Sequence, residues 1–333
     1  MKKGTVMMKK NYWFGLLLAG FFVVFSFNPV YSAEYPSRDI TVIVPFGAGG
    51  GCDMSARAFL KNAKKYSPVN FNVVNVPGGG GVVGLAKAVT ARPDGYTLSV
   101  IEVNCIQAAY VQGMTKYNGT TDLLPLARIG FAEASICVKN DSRFKTLKDF
   151  MEYARKNSNK LNVSIGSGKG GCWDMPLQLL NSSEDVKMKH VYMHGGAAAR
   201  TAALGGHVDA CAIGIMEAEP FVRSGDLRIL AIFGQNRNPK LPDVPTVAEL
   251  GYPEIDMGVS FVFFLPKNLD SKKVEYLTAF AEKCFNDPES TATLEKMVIA
   301  KPKTFMGSEK TIQWMKNNED RVKVVLTNLG MAK

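Results

Sequence analysis

The chain has 333 residues, 46% hydrophobic and 21% charged, with 31 Gly against 16 Pro. This is globular composition and excludes disordered, collagen-like and coiled-coil chains, while the length suits two lobes that each bury a core. The formal charge of +10 is inflated by Lys2, Lys3, Lys9 and Lys10: removing these four from the 40 Lys and Arg leaves 36 against 30 Asp and Glu. The remaining bases are scattered with no basic and aromatic stripe, so no nucleic-acid partner is expected.

Those four lysines precede an apolar run from Tyr12 to Phe27 and small residues at Ser32 and Ala33. This is the layout of a secretory signal peptide over residues 1–33, with Val30 and Ser32 suited to the positions that guide cleavage. The run is near the lower limit for spanning a bilayer, which counts against a permanent anchor. The expected location is the periplasm.

After the leader the chain reads as alternating strands and helices. Ile40 to Val44 is a β-branched run stopped by Pro45, and Gly47 to Gly51 leads into a helix near Asp53. Phe71 to Asn75 enters Pro77-Gly78-Gly79-Gly80-Gly81 and a helix over 83–90, and Tyr96 to Ile101 is a third strand. Leu126 to Val138 is long enough to cross between lobes, and Thr146 to Lys156 follows as a helix. Strands at 161–165, 186–192, 208–213 and 227–233, with helices at 174–180 and 197–204, make a second α/β unit, and Gly205-Gly206 closes the second of these helices. A proline-punctuated surface segment, 239–253, precedes an apolar run at 259–265 that returns the chain to the first lobe. Helices at 271–285 and 308–327 finish it. The expected fold is α/β, with mainly parallel sheets and loops clustered at the strand C-terminal ends.

A strand that turns through glycine into a helix presents unpaired backbone N–H groups at the positive end of the helix dipole, which suits it to hold an anion. Two such loops lie in the first lobe, 45–53 and 75–84, and a third, Gly166-Ser167-Gly168-Lys169-Gly170-Gly171, lies in the second. Nucleotide motifs fail on inspection. Cys52 stands where the third glycine of a dinucleotide fold belongs, and Gly168-Lys169 lacks a following Ser or Thr. The histidines are His190, His194 and His207, with no nucleophile elbow beside them. His190 and His194 fall on a strand and turn, so neither a metal nor a cofactor is expected. Cys52, next to Asp53 at a helix start, leaves an exported thiol enzyme as the alternative class.

Tyr35-Pro36-Ser37-Arg38 and Val44-Pro45-Phe46-Gly47-Ala48-Gly49-Gly50-Gly51-Cys52-Asp53 with Arg57 resemble the opening of tripartite tricarboxylate transporter substrate-binding proteins, the Bug receptors. Further segments continue the resemblance in order: Val73 to Gly81 with Gly84, Arg92-Pro93-Asp94-Gly95-Tyr96-Thr97-Leu98, His194-Gly195-Gly196-Ala197, Leu204 to Asp209, and Val244-Pro245-Thr246 with Glu249, Gly251, Tyr252 and Pro253. The resemblance implies a two-lobed periplasmic binding protein of the type II arrangement, lobe 1 being 34–135 plus 260–333 and lobe 2 being 136–259. Such a protein closes on a small organic acid and, as a monomer, delivers it to the permease subunits of its transporter without chemistry. A ligand sensor that presents its closed lobes to a signalling partner is the runner-up.

The resemblance also implies which residues meet the solute. Phe46, Gly47, Ala48, Gly49, Gly50 and Asp53 belong to the first loop and Gly79, Gly80 and Gly81 to the second. Gly168, Lys169, Trp173 and Asp174, with the turn His194, Gly195, Gly196 and Ala197, come from the other lobe, and Glu102, Asn104, Ile213 and Phe261 complete the lining. Three departures bear on the ligand. Glu102-Val103-Asn104-Cys105 stands where relatives often carry small hydroxyl residues, Cys172-Trp173-Asp174-Met175 where a His is common, and Ile213-Gly214 where Asp or Asn is common. Extra acid in an anion cleft repels unless a cation intervenes. An amine-bearing acid such as an amino acid is therefore expected, with Asp53, Glu102 or Asp174 facing the amine. Against this stands a Glu102 or Asp174 that points to solvent or caps a helix, and Trp173 also suits an aromatic acid. Of the six cysteines, Cys52 and Cys105 fall on cleft loops of lobe 1, and Cys172 and Cys211 are similarly placed in lobe 2. Export permits either pair to bond, with buried free thiols as the default.

Overall fold

The computed structural model describes Met1, residues 34–297 and residues 306–333, so the expected leader lies outside the described residues except for Met1. Strand β1 (Ile40–Val44) is a β-branched run with four of five residues buried. It stops at Pro45, which has no amide hydrogen to continue a ladder. The chain then turns through glycine into α1 (Gly51–Phe59). In the same way β2 (Phe71–Asn75) leads into α2 (Val82–Val89), and β3 (Thr97–Glu102) runs directly into α3 (Val103–Val111). Both β2 and β3 pair with β1 in parallel.

A 17-residue strand, β4 (Leu123–Lys139), carries the chain to α4 (Leu147–Lys156). This helix starts on a capping box: Thr146 accepts the Asp149 amide, and Asp149 accepts the Thr146 amide. The second unit is β5 (Asn162–Ile165), α5 (Asp174–Ser183), β6 (Lys189–Tyr192), α6 (Gly196–Leu204), β7 (Ala210–Gly214), α7 (Ile215–Arg223) and β8 (Leu227–Phe233). The chain ends with β9 (Gly258–Pro266), α8 (Ser271–Asn286), α9 (Pro288–Lys296), β10 (Met306–Gly307) and α10 (Ser308–Asn328).

The strands run β2-β1-β3-β9-β4-β7-β5-β6, with β8 and β10 also on β4. Pairing is parallel in the strand–helix units and antiparallel where β4, β8 and β9 join them. β4 changes partners along its length: residues 123–133 pair with β9, and from Ala134 onward it pairs with β7 and β8. One apolar core gathers Ile43, Leu85, Ile101, Ile106 and Phe264; another gathers Cys137, Ala203, Ile213, Ile229 and Ile232. This is the two-lobed α/β fold.

Three helices were not anticipated. α3 is buried on nearly every face, so it has no polar stripe to reveal its period. α7 starts at the residue directly after β7, which merges the two apolar runs. α9 is announced only by Asp287 as cap and Pro288 behind it. Cys52 and Cys105 lie in helices α1 and α3 and Cys211 in β7, not in loops. Among the described residues no helix is long and apolar enough to cross a membrane.

Candidate ligand-binding site

The loops that follow the parallel strands of the two lobes meet each other. The Gly47 amide donates to the His194 carbonyl at 3.3 Å, and Gln112 Nε2 donates to the Lys169 carbonyl at 2.9 Å. Gly80, at φ +66°, comes so near Gly168 that a Cβ would stand 3.2 Å from the Gly168 Cα. Only glycine suits a position with both a left-handed backbone and so close a neighbour.

Glu217, in the first turn of α7, occupies the centre of this junction at 1% exposure. Its Oε2 accepts the Gly214 amide at 3.0 Å, and its Oε1 reaches across to accept the Gly51 amide at 2.8 Å. A Cβ on Gly196, the first residue of α6, would overlap this carboxylate. The carboxylate is thus gathered among the N-termini of α1, α6 and α7, where free amides and helix dipoles favour negative charge. Burial pushes its pKa up, while the Gly214 and Gly51 amides and Arg200 pull against that rise.

Glu102, the last residue of β3, is also buried. Burial first, and then the nearby charge of Glu217, push its pKa up to about 8. The Cys105 and Cys172 sulfurs each lie 3.5 Å from its Oε2. Glu102, Cys105 and Cys172 are the one group among the described residues whose ligand atoms, all within 4.8 Å, could hold a metal ion.

The other expected acids are engaged elsewhere. Asp53 accepts the Gly49 amide and the Arg57 Nε at 2.9 Å each and the Asn75 Nδ2 at 3.0 Å, which braces the first glycine loop. Burial opposes its ionisation, yet these partners hold its carboxyl below the usual range. Asp174 lies 2.5 Å from His190 Nδ1 and accepts from the Gly170 amide at 2.6 Å and Tyr192 at 3.3 Å. Both carboxylates are thus engaged by partners within the protein.

The remaining expected residues divide. Ala48, Gly49, Gly79 and His194 are exposed at the loop tips, Gly50, Gly195 and Gly196 are buried at helix starts, and Ala197 faces Gly49. Phe46 packs its ring over Gly81, and Asn75 Nδ2 donates to the Phe46 carbonyl at 2.9 Å. Trp173 is buried with its ring against Gly166 and Gly214, and Ile213 lies in the second core. Phe261 is buried opposite Glu102 in the β3–β9 register. Asn104 lines a cavity of about 140 Å³ with Phe131, Met257 and Trp314, and Lys169 lines a separate groove with His190 and Tyr192. Cys52 donates to the Val100 carbonyl at 3.1 Å, and burial pushes its thiol well up, the opposite of an activated nucleophile. Glu217 was missed, although Gly214 followed three residues later by Glu217 has the spacing of a capping box.

The model of the tripartite tricarboxylate transporter family receptors matches residues 56–331. The chain is 28% identical over 251 residues to protein BugT of Bordetella pertussis, covering 75% of this chain and 77% of BugT. The solved periplasmic binding protein BugD superposes with a TM-score of 0.85 at 23% identity, covering 90% of this chain and 100% of BugD. MatC from Rhodopseudomonas palustris, solved with bound malate, superposes with a TM-score of 0.81 at 26% identity, covering 88% of this chain and 100% of MatC. The chain belongs to the tripartite tricarboxylate transporter receptor family and has the two-lobed fold of periplasmic binding proteins.

Proposed function

We propose that this protein is an exported receptor that takes a small carboxylate-bearing solute between its lobes and hands it, unchanged, to the permease subunits of a tripartite tricarboxylate-type transporter. The observation that carries this reading is the seat of Glu217: a carboxylate held at the lobe junction by backbone amides of Gly51 and Gly214. A solute carboxylate has the same requirements, and malate bound to MatC at 26% identity supports the class. The exchange of β4 partners at Ala134 supports a division into 34–135 plus 260–333 and 136–259, with a hinge near residues 136 and 259. Residues 1–33 would direct export to the periplasm, and the receptor would act as a monomer.

A second reading concerns the solute's other end. Asp53 and Asp174 are satisfied, whereas Glu102 and Glu217 are buried close enough for one to raise the pKa of the other. An ammonium group between them would relieve that repulsion, which favours an amino acid over a plain dicarboxylate. Thermal unfolding of protein stripped of carried-over solute tests both. At about 100 times its dissociation constant a ligand adds roughly 2.7 kcal/mol. A shift with malate and other dicarboxylates supports the plain carboxylate reading, and a shift with amino acids alone supports the amine. No shift with any carboxylate overturns the function, and recovery of a chemically altered solute would indicate turnover.

A further inference from the structure

The two cysteine pairs suggested by the sequence are not the ones assembled. Instead Cys105, in the first turn of α3, lies against Cys172, in the loop before α5. The sulfurs are 2.6 Å apart, and the Cys172 amide donates to Cys105 Sγ at 3.3 Å. Both residues are buried, at 2% and 1% exposure, and they come from opposite sides of the lobe junction.

Geometry separates two uses for this pair. A disulfide needs the sulfurs about 2.05 Å apart. Two zinc–sulfur bonds of about 2.3 Å at a tetrahedral angle would hold them roughly 3.8 Å apart. The observed separation needs about half an ångström of approach for the bond and more than twice that in retreat for the metal. We propose that Cys105 and Cys172 form a reversible disulfide across the lobe junction, a covalent latch that holds the lobes together in oxidising surroundings.

The bond forms by exchange with a small external disulfide such as oxidised glutathione. When the lobes part, one cysteine attacks that disulfide, forming a mixed disulfide and releasing one glutathione thiol. When they close, the second cysteine attacks the mixed disulfide at the cysteine sulfur, which forms the Cys105–Cys172 bond and releases the second glutathione thiol. Two cysteines are oxidised, one external disulfide is reduced to two thiols, and no proton is gained or lost overall. The attacking thiol's proton passes through solvent to the leaving glutathione thiolate, and Glu102 Oε2, 3.5 Å from both sulfurs, accepts from the reduced thiols when the lobes are together. Burial pushes both thiols up, so exchange is slow while the lobes are together and is gated by their opening.

The test uses protein expressed with its own leader, equilibrated with oxidised glutathione, then alkylated without reductant, weighed intact and mapped as peptides. The expected result is a mass about 2 Da below that of the reduced chain before alkylation, with one cross-linked peptide pair joining Cys105 to Cys172. That cross-link disappears in Cys105→Ser and in Cys172→Ser, and reductant speeds solute exchange in the unsubstituted protein alone. Six alkylated cysteines, or a cross-link that excludes this pair, would overturn the proposal. So would stoichiometric zinc that by itself protects both thiols. The unsubstituted protein supplies the decisive measurement, so a variant that fails to fold does not remove it.

Discussion

Replacing Glu102 with Gln tests whether the buried carboxyl at the end of β3 couples stability to pH. Burial and the charge of Glu217 raise this group from 4.5 to about 8. Below the lower value both native and unfolded chains hold the proton, so the contribution is complete. Between the two values the native chain keeps a proton that the unfolded chain has released, and stability falls as pH rises, by about 1.4 kcal/mol per pH unit. Over about three pH units the loss is roughly 4 kcal/mol, and it levels off above the native pKa. Gln preserves size and has no proton to lose. Thermal unfolding of both proteins between about pH 5 and pH 8 should show the variant gaining on the original as pH rises, with a melting-temperature difference on the order of 8 °C at the alkaline end. Glu217→Gln is the companion measurement, because removing the second cause lowers the native Glu102 pKa, so the fall in stability levels off at lower pH and is smaller. Parallel pH curves for the original protein and Glu102→Gln would refute the account of Glu102 as a buried acid held uncharged.

Gly196→Ala places a methyl where the Glu217 carboxylate sits. It should displace that carboxylate from the Gly51 amide and cost about 1–3 kcal/mol by overpacking, and an unchanged denaturation midpoint would contradict the close approach. Thr146→Ala removes half of the α4 capping box, which shares no hydrogen bond with the junction loops. Denaturation should register a loss of about 1 kcal/mol, with solute affinity in calorimetry unaltered.

What could be read from residues alone follows from range. β1, β2 and β8 end in the structure where the sequence reading ends them, because each is a short stretch built around apolar residues with a Pro or Gly close behind it. The glycine loops were legible for the same reason: a strand, a glycine turn and a helix start are neighbours in the chain. Asp53 and Arg57 were both visible, and their i,i+4 pairing needs only one helix. Asp174 and His190 were visible too, but their contact depends on β6 packing beside the start of α5. α3 escaped because a helix buried all round has lost the polar face that periodicity reads.

The sequence by itself determined the order of strands and helices, the glycine turns at strand ends and the family resemblance, since each is a pattern within a few residues. The tertiary structure alone decided which partners each buried acid finds. Glu217 caps its own helix locally, yet its other oxygen finds the Gly51 amide 166 residues away, and Cys105 finds Cys172 across 67 residues. Such contacts exist only where two separately built lobes meet, and no local propensity encodes the line along which they do so.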